Sequence, residues 1–286
     1  MPPRKTATAK QRTLSESLQE YGRGVAGGLM FSLPLMYTME VWWMGIVAHP
    51  FRLIGYVLAT FVLLIGYNRY AGLRRDSSMA EVAIDSVEEM GIGLLIAGLV
   101  LFLLGRVTAE MSLSQIAGVF VLEGMTVAIG VSIGTAQLGA GGKEDEGLGE
   151  GDSQKGISFG GQMVMALCGA VLFGANVAPT EEIIVIAIEI SWMKLMGLAI
   201  LSLLVAFVIL HFSDFRGADR FVRADHPTII LLGTFLTYSI ALIASGLILW
   251  FFGRFDGVSL LSAVSQTIVL ALPATLGASA GRLLLQ

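Results

Sequence analysis

Charged residues are scarce in this sequence and make up only 14% of its 286 positions. A soluble globular domain carries about 25%, so this scarcity excludes an ordinary soluble protein. Hydrophobic residues supply 55% of the chain, and the mean hydropathy is +0.77. The composition therefore predicts an integral membrane protein whose main partner is the lipid bilayer, with no nucleic-acid partner.

Cysteine and histidine are also scarce. Cys168 is the only cysteine, which excludes a disulfide within the chain. The three histidines lie far apart near predicted helix ends, so the pattern forms neither a Cys/His metal centre nor a Ser/His catalytic pair. We expect no cofactor and no enzymatic activity, and we place an intramembrane enzyme third among the functional hypotheses.

Long apolar runs indicate membrane-spanning helices. A hydrocarbon core of about 30 Å needs roughly 20 apolar residues per helix. Eight runs satisfy this length: 24–46, 52–68, 88–105, 113–137, 160–180 with an extension to about 191, 195–212, 227–252 and 259–281. Of the 18 Lys and Arg residues, 14 fall on one side of these spans and 4 on the other. The positive-inside rule then predicts a multi-pass all-α protein of the inner (plasma) membrane with both termini cytoplasmic.

Two polar segments divide the chain. Residues 1–22 form a basic N-terminal arm, and residues 139–158 form an acidic, Gly-rich stretch on the cytoplasmic side. This stretch has too little apolar surface to fold alone, so we interpret it as a linker, with cation sensing as the alternative. The remaining residues, 23–138 and 159–286, contain four predicted helices each.

An internal duplication relates these two halves. Ile96–Arg106 matches Ala244–Arg254, with Gly-Arg at the end of both segments. Downstream, Gly130-x-Ser132-x-Gly134 matches Gly277-x-Ser279-x-Gly281, and upstream Thr38 and Glu40 match Thr180 and Glu182. Because each half has an even number of spans, the pattern predicts two parallel four-helix repeats around a pseudo-two-fold axis along the membrane normal.

Carboxylates at membrane depth are the main functional signal. They are Glu40, Glu123, Glu181, Glu182 and Glu189, and no predicted span centre carries a Lys or Arg. An ionised group there costs several kcal/mol, roughly 2.5–3.5 on insertion scales, so such acids are expected to take up protons or to bind cations. Glu123 is the most deeply placed. The alternatives are a structural hydrogen bond for Glu123 and an outer headgroup location for the others.

Proline is rare in the chain, and Pro179 lies just before Glu181 and Glu182. A proline inside a helix removes a backbone donor and breaks or bends the helix, which frees carbonyl oxygens. We therefore predict an ion or proton site formed by Glu40, Glu123, Glu181, Glu182, Thr38, Thr180 and Asn176, with helix breaks at Pro179 and Pro34.

A second group of acids precedes the third predicted span. Glu81, Asp85, Glu88 and Glu89 have the spacing of one helical face. The face is either the solvated side of an interfacial helix or, through Asp85, Glu88 and Glu89, a cytoplasmic vestibule.

Two resemblances to known families follow from these segments. Residues 174–182, Gly-Ala-Asn-Val-Ala-Pro-Thr-Glu-Glu, resemble the Gly-Asn/Thr-Ser and Pro-Glu signature of calcium/cation antiporters, whose glutamate coordinates the ion. They depart from it because Thr180 separates Pro179 from the glutamates, and because antiporter repeats are inverted. Residues 33–43 and 178–182 resemble an uncharacterised family of bacterial integral membrane proteins. That resemblance implies a membrane location and no assigned activity.

The sequence therefore favours a protein that translocates cations, either protons or metal ions, through a carboxylate-lined site between two repeats. The alternative is a membrane scaffold or regulatory subunit that transports nothing. The ion, its direction and coupling, and a homo-oligomeric state are left open by the sequence.

Overall fold

The computed structural model describes residues 14–71, 78–138, 159–212 and 227–283, and within these ranges the chain forms ten α-helices and no strand. The helices are α1 (Leu14–Met36), α2 (Met39–Val47), α3 (Pro50–Ala71), α4 (Met79–Leu103), α5 (Leu113–Gln137), α6 (Phe159–Val177), α7 (Glu181–Glu189), α8 (Trp192–Phe212), α9 (Pro227–Phe251) and α10 (Leu260–Leu283). Residues 1–13 of the predicted arm and the whole predicted linker, 139–158, lie outside the described residues.

Seven of these helices are long and apolar enough to cross a membrane, namely α3, α4, α5, α6, α8, α9 and α10. The predicted all-α, polytopic fold class is therefore confirmed. The count of eight spans, the division into four-helix repeats and the cytoplasmic location of the termini stay predictions.

Two of the predicted apolar runs are divided by helix breaks, which the sequence predicts at Pro34 and Pro179. The run 24–46 is divided between α1 and α2, and the run 160–191 is divided between α6 and α7. Pro179 lies between α6 and α7, because proline cannot donate to the preceding turn and disfavours a helical residue before it. Pro34 instead lies inside α1, and the break follows at Tyr37 and Thr38.

A threonine stands at each of the two breaks. The hydroxyl of Thr38 donates to the carbonyl of Pro34 at 2.9 Å, and that of Thr180 donates to the carbonyl of Val177 at 2.8 Å. Each threonine is also the N-cap residue of the short helix that follows, α2 or α7. Each hydroxyl therefore gives a second donor to a carbonyl in the last turn of the preceding helix, beside the N–H of Tyr37 or of Thr180.

Glycine contacts hold each broken helix against the last helix of its half. A Cβ atom on Gly27 of α1 would collide with the backbone of Gly130 and Gly134 in α5. In the second half, a Cβ atom on Gly169 of α6 would collide with the backbone of Gly277. The repeated Gly-x-Ser-x-Gly motif is therefore explained by close approach of two helix backbones, which small residues permit in membrane proteins.

The repeated Gly-Arg pair ends α4 and α9 in the same way. Gly105 and Gly253 have φ values of 67° and 70°. The N–H of Arg106 donates to Leu101 and that of Arg254 to Leu249, both at 2.9 Å, which is the six-to-one bond of a Schellman motif. Glycine is needed at this left-handed position, and the motif fixes where the arginine that follows leaves the helix.

Replacing Gly105 with alanine is expected to lower the free energy of unfolding by about 1 kcal/mol, because an L-residue is strained at this φ. A Cβ atom there meets nothing within 4 Å, so the cost comes from the backbone alone. Gly91, inside α4, has the same free space. Gly91→Ala should raise the free energy of unfolding by about 0.5–1 kcal/mol. Unfolding would be measured in mixed micelles. Equal effects of the two substitutions would contradict the left-handed backbone conformation of Gly105.

Candidate functional site: a buried acid and its polar neighbours

Glu123 is the most completely buried acid of the described chain. It lies near the middle of α5 with 0% of its side chain exposed. Neither carboxylate oxygen has a hydrogen-bond partner within the described residues. The position that corresponds to it in the second half is occupied by Leu270, which is also 0% exposed. The fold therefore accepts an apolar residue here, and a carboxyl group is not required for packing.

Two hydroxyl groups lie next to Glu123. The hydroxyls of Tyr56 in α3 and Thr126 in α5 form a hydrogen bond of 2.6 Å. Thr126 is on the same face of α5 as Glu123, because residues three apart are neighbours on a helix. Tyr56 is close enough to Glu123 for an electrostatic interaction. The acid is thus flanked by hydroxyl groups that can both donate and accept hydrogen bonds.

The polar side chains of α3 continue from Tyr56 towards the other end of the helix. Thr60, Tyr67 and Asn68 are buried and follow Tyr56 at helical spacing. From Tyr56 to Asn68 this α3 stripe extends about 18 Å along the helix axis, at 1.5 Å per residue. Its Tyr56 end lies beside Glu123, and its Asn68 end lies beside a second buried acid, with apolar residues between Thr60 and Tyr67.

That second acid is Glu89 in α4, with 9% exposure. The side-chain amide of Asn68 donates to the Glu89 carboxylate at 2.8 Å and to the Ser86 hydroxyl at 3.2 Å. Ser132 in α5 donates to the Asn68 carbonyl oxygen at 3.0 Å. These four residues, the Glu89 cluster, connect α3, α4 and α5.

The predicted acidic face of α4 is thus only partly solvated. Glu88 is exposed and Asp85 is half-buried, whereas Glu89 points into the protein. A simple solvated face does not account for Glu89. The vestibule interpretation requires the cytoplasmic location of this end, which stays a prediction.

The acids at the predicted outer side have a basic neighbour. Arg254, which the Schellman motif places after α9, donates through a guanidinium nitrogen to the carbonyl of Pro179 and interacts electrostatically with Glu181 and Glu40. Burial lowers the pKa of Arg254, and the two carboxylates raise it. The expectation that no base answers these acids is therefore wrong for Glu181 and Glu40. It failed because the arginine comes from a loop and not from a span.

The other predicted ligands are not brought together. Glu182 is exposed, and the amide nitrogen of Asn176 donates to Leu172 within its own helix. Glu189, which was not among the predicted ligands, is exposed as well. The Asn176 carbonyl oxygen is buried without a partner in the described ranges. No group of three His, Cys, Asp or Glu residues in those ranges is arranged to hold a metal ion. The acids described so far are found at Glu89, at Glu123 and around Arg254, and the single ion or proton site stays a prediction.

The second half carries a different group at the position of the Glu89 cluster. Thr237 occupies the place of Glu89 in the aligned repeats, and Arg282 of α10 contacts it. The guanidinium also donates to the Gly233 carbonyl at 2.8 Å and to the Gln162 side chain at 2.9 Å. Arg282 is only 7% exposed. The two halves therefore place a carboxylate and a guanidinium at equivalent ends.

An apolar crevice of about 670 Å³ lies beside the α3 stripe, between α3, α6 and α9. Tyr56 and Thr60 line one wall, and Val171, Ile248 and Phe251 line the others. Arg52 lines it as well, paired with Asp256 at 2.9 Å. No carboxylate belongs to its lining.

Several residues of this region were missed from the sequence. Asn68, Tyr56 and Arg254 had no assigned role, although Asn68 interrupts an apolar run and Arg254 belongs to the repeated Gly-Arg pair. The sequence shows both of these features. It does not show which residues Asn68 and Arg254 contact, because those contacts depend on how the helices pack.

Comparison with known proteins supports a coarse conclusion. No curated protein and no solved structure shows significant similarity to the chain. The local likeness of residues 174–182 to calcium/cation antiporters gains no support from these comparisons. A family described as "Putative integral membrane protein (DUF2391)" matches residues 20–285, nearly the whole chain, and no activity is attached to that description. The protein is an integral membrane protein with several spanning helices and belongs to this family.

Proposed function

We propose that the protein conducts protons across the membrane, with Glu123 as the central proton acceptor. The observation that carries the proposal is the complete burial of Glu123 without a hydrogen-bond partner among the described residues. Intramembrane acids of this kind are costly when ionised and commonly mark ion or proton pathways. The proposal includes no covalent reaction on a substrate.

The Glu89 cluster would exchange protons with the side predicted to be cytoplasmic. Ser132 of this cluster lies about 13 Å from Glu123 along the axis of α5, at 1.5 Å per residue. One direct transfer cannot bridge this distance. The α3 stripe supplies hydroxyl groups in between, and water molecules would have to complete the connection.

On the opposite side, the proposed path leads towards Glu40, Glu181 and Arg254. Arg254 keeps a positive charge beside these carboxylates. A permanent cation there opposes the binding of a metal ion and of a proton to these carboxylates alike. The choice of the proton as the transported species therefore rests on Glu123, which has no charged partner among the described residues.

The spacing of the acids supports the same choice. A metal cation needs several oxygen ligands around one point, whereas a proton needs one acceptor at a time. Glu89, Glu123 and the acids around Arg254 lie on different elements and at different depths. They suit successive transfers better than a single coordination sphere.

The direct test is a flux measurement on the full-length wild-type protein. Liposomes that contain a pH-sensitive dye would be given a membrane potential with potassium and valinomycin. We expect internal acidification clearly faster than in protein-free liposomes and in liposomes with heat-inactivated protein. Parallel measurements with dyes for Ca²⁺ and Na⁺ should show no protein-dependent flux. The proposal would be overturned if liposomes with the protein showed no faster proton flux than protein-free liposomes or liposomes with heat-inactivated protein.

A specific observation favours the alternative of a scaffold or regulatory subunit. Glu40 and Glu181 belong to different halves, and both attract Arg254 electrostatically, which would give these acids a structural role without any transport. That hypothesis predicts co-purification with another membrane protein. It also predicts that neutral substitution of Glu123 leaves function in cells unchanged.

A further inference from the structure

The two halves are packed against each other in an asymmetric way. Helix α6 of the second half lies against α3 and α5 of the first half, and α9 contacts Tyr56 of α3 through stacking of Phe251. A closed two-fold arrangement would repeat these contacts, with α1 against α8 and α10. No comparable contact of α1 with either helix occurs in the part of the chain that the structure describes.

The asymmetry leaves matching surfaces uncovered. Leu172 of α6 is 2% exposed at the contact between halves, whereas Met30, its equivalent on α1, is 59% exposed. Ile129 of α5 is 1% exposed, whereas Leu276, its equivalent on α10, is 41% exposed. The surface of α1 is therefore equivalent to the covered surface of α6, and the surface of α10 is equivalent to the covered surface of α5. Both equivalent surfaces are uncovered in a single chain.

The charges follow the same pattern. Between the halves, Arg52 at the start of α3 pairs with Asp256 in the loop after α9. Lys194 aligns with Arg52, and Glu110 lies in the loop after α4 that is equivalent to the loop of Asp256. Both Lys194 and Glu110 are exposed, and neither has an ion-pair partner in the described ranges. The uncovered surfaces thus repeat the charge complementarity of the internal contact.

From these observations we propose that the protein binds a second copy of itself head to tail, with α8 and α10 of one copy against α1 and α4 of the next. The contact has the same geometry as that between the two halves of one chain. Such heterologous contacts close into a ring when the rotation per step permits it. The occupant of both surfaces is another molecule of the same chain and not lipid alone.

The internal contact supplies a distance for a cross-linking test. A Cβ atom built on Gly66 of α3 lies 3.9 Å from the Cβ atom of Val164 in α6. This separation is close to the mean for disulfides, about 3.8 Å. The equivalent pair between copies is Val208 in α8 and Gly22 in α1. Val208 is 50% exposed, and a Cβ atom on Gly22 meets nothing within 4 Å.

The experiment uses the full-length chain with Cys168→Ala, which removes the buried native thiol. Differently tagged copies that carry Gly22→Cys or Val208→Cys are co-expressed, and membranes are oxidised with copper phenanthroline. We expect a covalent dimer that contains both tags and disappears on reduction. The positive control is Gly66→Cys with Val164→Cys in one chain, which should form an intramolecular disulfide.

Each variant expressed alone should give no dimer, because the proposed contact is not symmetric. A chain that carries both Gly22→Cys and Val208→Cys should form a ladder that ends at the ring size. The proposal is overturned if only the internal control cross-links, or if a single variant forms dimers with itself. Failure of the internal control overturns it too, since the template contact would then be wrong. None of these results depends on proton flux.

Discussion

Replacing Glu123 with glutamine is expected to reduce protein-dependent proton flux by about 100-fold, the scale of losing a positioned proton-transfer group. Glutamine keeps the size of the side chain but cannot cycle between protonated and ionised forms. The flux would be measured in the dye-loaded liposomes with equal amounts of reconstituted wild-type and variant protein. Glu110→Gln is the matched control, since Glu110 is an exposed acid in the loop between α4 and α5, outside the proposed path, and should leave the flux unchanged.

A stability measurement separates this role from a structural one. Glu123→Leu should abolish flux and raise the free energy of unfolding by about 1–3 kcal/mol, because it removes a buried polar group that has no partner among the described residues. Leu270 shows that the fold accommodates leucine at the equivalent position. A variant that loses both flux and stability would indicate that Glu123 holds the helices together and would remove it from the proposed path.

The second large effect is expected from Gly277→Leu in α10. A Cβ atom there would collide with the Gly169 carbonyl and lie 2.8 Å from the Phe173 Cβ atom. Two helix backbones cannot move aside as a flexible side chain can. We therefore expect the free energy of unfolding to fall by about 3 kcal/mol or more. The readout is the thermal unfolding midpoint and the yield of monodisperse protein in detergent.

Gly91→Leu is the control for this substitution. Gly91 also lies inside a helix, but a Cβ atom there meets nothing within 4 Å. Its thermal midpoint should equal or slightly exceed that of the wild type, because leucine favours the helix over glycine. Similar losses for Gly277→Leu and Gly91→Leu would show that any bulky residue in these helices is harmful, and the contact between α6 and α10 would then not be the cause.

Much of the fold could be predicted because hydrocarbon imposes simple rules on sequence. The run 113–137 coincides with α5, and most other predicted spans agree with their helices within a few residues. The runs 24–46 and 160–191 each continue in hydropathy across a break in the backbone, which the prolines predict at Pro179 and, a few residues too early, at Pro34. Hydropathy reports the environment of a segment but not the direction of its axis, so it cannot separate α1 from α2.

The site was less predictable, because its residues are defined by contacts between helices. Glu123 was selected from its depth alone, and the structure places it in a buried position. Glu89 was assigned to a surface or vestibule, since nothing in its local spacing indicates that Asn68 and Ser132 pack against it. Arg254 was overlooked because a loop residue is counted by the positive-inside rule and not as a neighbour of Glu40.

The glycine contact between α1 and α5 also bears on how the protein is made. Gly27 packs on Gly130 and Gly134, yet α2, α3 and α4 are synthesised between these partners. The first helix therefore leaves the ribosome well before the surface that covers its glycine face exists. Until α5 arrives, the insertion machinery or the surrounding lipid must shelter that face, and the same wait recurs when α6 precedes α10.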